Sequence, residues 1–258
     1  MKIFKHIYYK IRSRIYLEIK YLLINLPIIK YIGIDCKILK LRYYACPKVG
    51  SSSMKSLFYK LNNIADLKRN HKLTEIKDIK GHKIYKNQDG FIVFGNADTF
   101  NHLIFVRDPI DRFVSGFNNR VLKRKEVFFA NHWSLDKKID CFIKNLFCYM
   151  RVYPSINWHF LPQVKFYSTA LKNPNQLIKI KLEDANSFLI SSIKNSSLQS
   201  DYVQELISDI QFKKNKTNYN DSTTKTKTKI ISRSHLTDEH IYLLRKYYKK
   251  DFELFNSI

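Results

Sequence analysis

Seven residues, Pro47-Lys48-Val49-Gly50-Ser51-Ser52-Ser53, separate a strand-like run from a helical pattern, and they hold one of only six glycines in 258 residues. An average usage of about 7% would give roughly eighteen, so a glycine kept here marks a turn that needs one. Upstream, Lys37 to Cys46 is rich in Ile, Leu and Tyr and reads as a strand. Downstream, Met54 to Lys68 places Leu57, Phe58, Leu61 and Ile64 at helical spacing. A strand-to-helix turn of this composition offers backbone N–H groups, three hydroxyls and a helix N-terminus to a phosphate-like anion, with Lys48 adding a point charge. The plain alternative is an ordinary Ser-rich turn. It is not a Walker A loop, because GxxxxGK[ST] is absent and the lysine precedes the glycine.

The remainder alternates in the same way. Phe91 to Phe94 and His102 to Val106 read as short buried strands, and Gln176 to Leu182 as another, followed by Glu183-Asp184 and a helix through Ile193. Asp108 and Pro109 are helix-start signals ahead of Phe113, Val114 and Phe117 on one face. Leu135 to Tyr149 reads as one long amphipathic helix and Thr237 to Phe255 as the last, opened by a Thr-Asp-Glu cap; Lys213 to Lys229 is a solvated loop. Strands alternating with helices argue an α/β domain with a largely parallel sheet.

Charge is the compositional oddity. The net charge is +24, with an isoelectric point near 9.8, and 45% apolar residues are ample for a core. Either an anionic partner or a composition-wide bias toward Lys, Ile and Asn accounts for the excess. Residues 1–35 form a basic amphipathic segment whose longest uncharged run, Tyr21 to Ile29, is too short for a membrane-spanning helix. The segment is suited to lie on an anionic membrane face or to dock on the domain, which occupies residues 36–258. Cys36, Cys46, Cys141 and Cys148 show neither CxxC nor metal-type spacing and read as thiols of a reducing compartment, with Cys141 and Cys148 on one packed helix face.

The second chemistry-bearing segment is Phe105-Val106-Arg107-Asp108-Pro109-Ile110-Asp111-Arg112-Phe113-Val114-Ser115, where a strand ends in Arg107 and a helix carries Ser115. An arginine at the carboxyl end of a strand reaches the crevice where open α/β sheets bind ligands. Taken alone, Arg-Asp-Pro is a capped helix start.

Taken together, PKVGSSS and, about sixty residues on, FVRDPIDRFVSGFNNR closely resemble the two nucleotide-binding motifs of sulfotransferases that use 3′-phosphoadenosine-5′-phosphosulfate (PAPS). The resemblance is to the carbohydrate group, which includes the chondroitin and dermatan enzymes and their bacterial relatives. Trp158-His159-Phe160-Leu161-Pro162-Gln163, Lys181 to Asp184 and the closing Tyr248 to Phe255 extend it from about residue 40 to the C-terminus. It implies a P-loop-like three-layer α/β fold with a mostly parallel central sheet flanked by helices. It implies that Pro47, Lys48, Val49, Gly50, Ser51, Ser52 and Ser53 hold the 5′-phosphosulfate, with Lys48 against the bridging oxygen. Arg107 and Ser115 are implied to hold the 3′-phosphate. In-line sulfuryl transfer needs no metal when Lys and backbone amides neutralise the leaving phosphate. His159 is the candidate general base, with a structural role as its alternative; His102 reads as core-facing. The stretch Gly90 to Asp98 lacks the histidine that the uronyl 2-O branch carries there.

The expected activity is thus transfer from PAPS to a hydroxyl of a glycan acceptor, such as a surface polysaccharide or glycolipid, by an enzyme of the cytoplasm or the inner membrane face. A non-carbohydrate small-molecule acceptor is the alternative within the family. A nucleic-acid-binding module is suggested by the net charge and by the Lys-Thr-Asn loop Lys213 to Lys229, but the chain carries no helix-turn-helix, zinc-finger or RNA-recognition signature. A kinase-like transferase lacks the Walker lysine and a metal-binding carboxylate after a strand.

Overall fold

The computed structural model of the chain describes residues 33–36, 39–61, 84–87, 90–93, 100–196 and 230–258. The basic segment 1–35, apart from its last three residues, and the loop Lys213 to Lys229 lie outside them. The described residues fall into two compact units: a sheet unit within Tyr31–Arg107, Gln163–Lys225 and Glu253–Ile258, and a helical unit comprising Asp108–Pro162 and the described part of Thr226–Phe252.

The sheet unit is built on four strands: β1 (Ile34–Cys36), β2 (Leu41–Tyr43), β5 (Asn101–Val106) and β6 (Leu177–Lys181), in the order β1-β2-β5-β6. β1 runs antiparallel to β2, while β2–β5 and β5–β6 are parallel. β5 has neighbours on both sides, and Leu103, Ile104, Phe105 and Val106 are all 0% exposed; this is why its sequence is a continuous apolar run and not an alternation. Each such side chain contributes about 1.5–3 kcal/mol on burial. β6, the last strand of the sheet among the described residues, is half-buried along its whole length. Helices α1 (Ser51–Leu61), α6 (Gln163–Phe166) and α7 (Ala185–Lys194) accompany the sheet. The fold is α/β with a mostly parallel sheet flanked by helices. β3 (Ile84–Asn87) and β4 (Gly90–Val93) form a separate antiparallel pair.

The strand expected over Lys37 to Cys46 is shorter, because the chain turns at Leu39-Lys40, with Lys40 left-handed at φ 50°, and β2 pairs back on β1. That hairpin is closed by Asp35 opposite Arg42, both buried, with Nε to Oδ1 at 2.6 Å and Nη2 to Oδ2 at 2.8 Å. The bidentate bond to Asp35 holds the Arg42 guanidinium charged even more firmly than usual. A side chain at Gly33 would collide with Arg42, so this close approach requires glycine.

The helical unit contains α2 (Pro109–Gly116), a π-helical continuation (Phe117–Lys123), α3 (Leu135–Lys144), α4 (Leu146–Val152), α5 (Pro154–Phe160) and α8 (Asp238–Tyr247); α9 (Lys249–Asn256) begins in it. Phe113, Phe117, Phe142 and Phe160 form its aromatic centre, at centroid separations of 5.0–6.1 Å. The single helix expected over Leu135 to Tyr149 breaks at Asn145, whose side-chain amide donates to the Cys141 carbonyl at 2.9 Å and competes with the helical ladder. Cys148 consequently lies exposed on α4, whereas the Cys141 thiol meets the Tyr149 hydroxyl at 3.4 Å, so the two do not share a packed helix face. The last helix divides at Tyr248, which is fully buried and donates its hydroxyl to the Phe160 carbonyl at 2.8 Å. No helix among the described residues is long and apolar enough to cross a membrane.

Candidate functional site

Parallel pairing places the carboxyl ends of β2 and β5 side by side, and both expected phosphate-binding segments begin there. After β2, the Tyr44 N–H continues the ladder to the Leu103 carbonyl at 3.0 Å before the chain enters the turn. Val49, 0% exposed, anchors that turn in the core. Its neighbours Lys48 and Gly50 both have φ of 66°. Glycine adopts that conformation freely, but for Lys48 it costs about 1–2 kcal/mol, strain of the kind stored at functional sites. The Gly50 carbonyl accepts the first helical bond, from the Met54 N–H at 3.1 Å, so α1 starts at Ser51, earlier than the apolar spacing indicated. Ser51, Ser52 and Ser53 are its first three residues, whose N–H groups have no carbonyl within the helix to bond. Ser51 is half-buried; Ser52 and Ser53 are exposed. Beneath the turn, the Tyr43 hydroxyl approaches the Val49 carbonyl at 3.5 Å, and complete burial raises the ionisation of this phenol far above its ordinary range.

Arg107 follows β5 directly. Its Nη1 donates to the Lys48 carbonyl at 3.1 Å, so the two segments, about sixty residues apart in the chain, meet within the sheet unit. Arg107 is in turn fixed by Gln163, which is 0% exposed. The Gln163 Oε1 accepts from the Arg107 backbone N–H at 3.0 Å, and its Nε2 donates to the Arg107 carbonyl at 2.8 Å. This amide does for the end of β5 what another strand would do, and a Pro-Gln dipeptide in a loop gives no local hint of it. Tyr167, from the same stretch, donates its hydroxyl to the Phe105 carbonyl. His102 is buried beside Tyr44, with Nδ1 at 3.3 Å from the tyrosine hydroxyl, in the core-facing position its strand indicated.

In the helical unit, Asp108 caps α2 as expected, accepting from the Ile110 and Asp111 N–H groups at 2.8 and 3.0 Å, with Pro109 at the first helical position. Ser115 lies half-buried near the end of α2. Arg112, which sequence reading passed over, is 0% exposed and donates Nη2 to the Leu161 carbonyl at 2.6 Å and the His159 carbonyl at 3.3 Å, with Asp251 at 4.0 Å from Nη1. It therefore holds the backbone of the His159 to Leu161 stretch. Asn118 repeats the amide clamp of Gln163, bonding both backbone groups of Ile231 at 2.8 and 2.9 Å.

The His159 ring is engaged at both nitrogens. Nδ1 lies 2.8 Å from the Ser155 carbonyl, and Nε2 lies 3.0 and 2.6 Å from Nε and Nη2 of Arg120. A hydroxyl giving its proton to Nε2 would first have to take the place of Arg120. Among the described residues, no group of three or more His, Cys, Asp or Glu is arranged to hold a metal ion.

No curated protein and no solved structure matched the chain. A family model described as "Sulfotransferase family" matches residues 35–256, nearly the whole chain and both segments that meet at Arg107. The chain belongs to the sulfotransferase family, and its α/β sheet is the P-loop-like fold of that family.

Proposed function

We propose that the protein transfers the sulfuryl group of PAPS to a hydroxyl of a carbohydrate acceptor, in the manner of the chondroitin and dermatan-type enzymes and their bacterial relatives. The observation that carries the donor half of this reading is the bond between the Arg107 guanidinium and the Lys48 carbonyl, which joins the two anion-binding segments at adjacent strand ends. The α1 N-terminus with Ser51 to Ser53 and the Lys48 ammonium suit a phosphosulfate, and the Arg107 guanidinium suits a 3′-phosphate, with Ser115 as its second ligand.

In the reaction, the acceptor oxygen forms a bond to sulfur as the bridging S–O bond to the 5′-phosphate breaks, and the hydroxyl proton passes to a base. The charge that grows is on the departing phosphate. Lys48 and the first-turn N–H groups of α1 stabilise it without rearranging, because Val49 and Gly50 have already set the turn. His159 is the proposed proton acceptor. A glycan acceptor is supported by the likeness of the motifs to the carbohydrate group and by the net charge of +24, which suits an acidic polymer. A surface polysaccharide or glycolipid sulfated at the cytoplasmic membrane face fits the basic segment 1–35.

The test is incubation with radiolabelled PAPS and, in parallel, unsulfated chondroitin, a neutral glucan and a simple phenol. Label in chondroitin supports the reading. Label confined to the phenol replaces the carbohydrate acceptor with a small molecule, and label in none of the three, from a protein that binds the nucleotide, overturns the acceptor assignment.

A further inference from the structure

The π-helical segment that prolongs α2 carries Arg120 into a closed ring of hydrogen bonds that binding the nucleotide does not require. Arg120 Nη1 donates to Glu126 Oε1 at 2.8 Å; the Ser155 hydroxyl donates to Glu126 Oε2; the Ser155 carbonyl faces His159 Nδ1; and His159 Nε2 faces Arg120 again. The Arg120 and Glu126 side chains are only 15% and 21% exposed, so water screens them weakly. π segments of this kind occur frequently at functional sites.

The chemistry of the partners fixes the imidazole. A carbonyl only accepts, so Nδ1 must carry the proton; a guanidinium only donates, so Nε2 must carry the lone pair. Protonating Nε2 would break its bonds to Arg120 and set two positive charges in contact. The other charged and titratable groups around the ring do not reverse this. Arg112, from α2, donates to the His159 carbonyl; Tyr248 donates to the next carbonyl, Phe160; Asp251, from α9, faces Arg112 and not the imidazole.

We propose that Arg120, tethered by Glu126, is a positioning residue for the acceptor half of the reaction: it keeps His159 uncharged, in the Nδ1–H tautomer, and covers the Nε2 lone pair until an acceptor hydroxyl takes its place. This rests on the sulfuryl-transfer reading and deepens it. When the acceptor oxygen bonds to sulfur, its proton moves to Nε2; the resulting imidazolium lies beside Arg120, still held by Glu126, and the repulsion returns the proton to solvent for the next cycle.

Histidine-selective ¹⁵N NMR tests it without turnover, with His159→Gln identifying the resonances. In the wild type, His159 is expected as the Nδ1–H tautomer; in Arg120→Gln, it is expected to gain the Nε2–H tautomer and to take up its second proton at higher pH than the wild type does, because the guanidinium beside Nε2 is gone. The acid limb of transfer to unsulfated chondroitin should rise by about one pH unit in Arg120→Gln and stay low in Arg120→Lys, which keeps the charge. If Arg120→Gln does not fold, Glu126→Gln, which loosens the tether on Arg120, should let His159 gain the Nε2–H tautomer in the same spectrum. A wild-type His159 that carries its proton on Nε2, or that titrates no lower than in Arg120→Gln, overturns the proposal, as does an acid limb that Arg120→Gln leaves in place or, should that variant not fold, a tautomer that Glu126→Gln leaves unchanged. Calorimetry with adenosine 3′,5′-bisphosphate on the same samples keeps the two readings apart, because failure of wild type to bind it counts against the nucleotide site and leaves the NMR result standing.

Discussion

Gln163 fixes Arg107, and with it the proposed donor site, through the backbone alone, and replacing it gives a sharp expectation. Gln163→Leu preserves much of the buried volume but leaves the Arg107 N–H and C=O, now bonded at 3.0 and 2.8 Å, without their partners. A buried polar group left unsatisfied costs about 1–3 kcal/mol. Arg107 is only half-buried, so water will relieve part of this, and the net loss is about 2–4 kcal/mol. For a chain of this size, that lowers Tm by roughly 4–8 °C. The freed end of β5 also releases the Arg107 side chain from its place against Lys48, so affinity for adenosine 3′,5′-bisphosphate should fall at least tenfold. Thermal denaturation and calorimetry read the two effects, with exposed Lys165→Ala as a control expected within about 0.5 kcal/mol of wild type. A Gln163→Leu protein within 0.5 kcal/mol of wild type and with undiminished nucleotide affinity would refute the clamp.

Lys48→Ala is expected to lower kcat by about 10²–10³ in a folded protein. Lys48→Gly should lose as much activity yet be about 1 kcal/mol more stable than Lys48→Ala, because glycine accepts the φ of 66° without strain; equal stabilities by urea denaturation would remove the strain from the account. Arg112→Met strips the His159 to Leu161 backbone of its donor and leaves buried Asp251 facing no guanidinium, a loss of about 3–5 kcal/mol visible in the same denaturation. Burial raises the ionisation of Tyr43, Tyr44, Tyr149 and Tyr247 in the folded state. Their unfolded forms ionise near pH ~10, so their contribution is whole below that pH and is lost as pH climbs above it. Denaturation midpoints should fall steeply beyond pH 10 while tyrosinate absorbance lags behind that of the unfolded chain, and a flat stability profile there would contradict the burial.

What could be read in the sequence was local. Asp108 and Pro109 announce α2 because cap and proline act within one turn, and Gly50 announces the turn ahead of α1 because a left-handed residue was needed and glycines are scarce. Leu103 to Val106 announce a central strand because burial on both faces removes alternation. The elements that were misjudged depend on distant partners. Tyr248 breaks the last helix to reach Phe160, and nothing near residue 248 foretells that. Gln163, Asn118 and Arg112 act on backbone groups 47–113 positions away, and a lone polar side chain does not reveal such a target. The π segment belongs with them: nothing in the residues Phe117 to Lys123 foretells backbone bonds spanning five residues, such as that from the Arg124 N–H to the Asn119 carbonyl.

If Lys48 and Arg107 form one nucleotide site, calorimetric titration of wild type and Arg107→Ala with adenosine 3′,5′-bisphosphate, with 5′-AMP as the control, will show it. Wild type should bind in the micromolar range, 5′-AMP should bind at least tenfold more weakly, and Arg107→Ala should suffer the same loss with the fold intact. Equal affinity for the two nucleotides, or no binding by a folded wild-type protein, would contradict it.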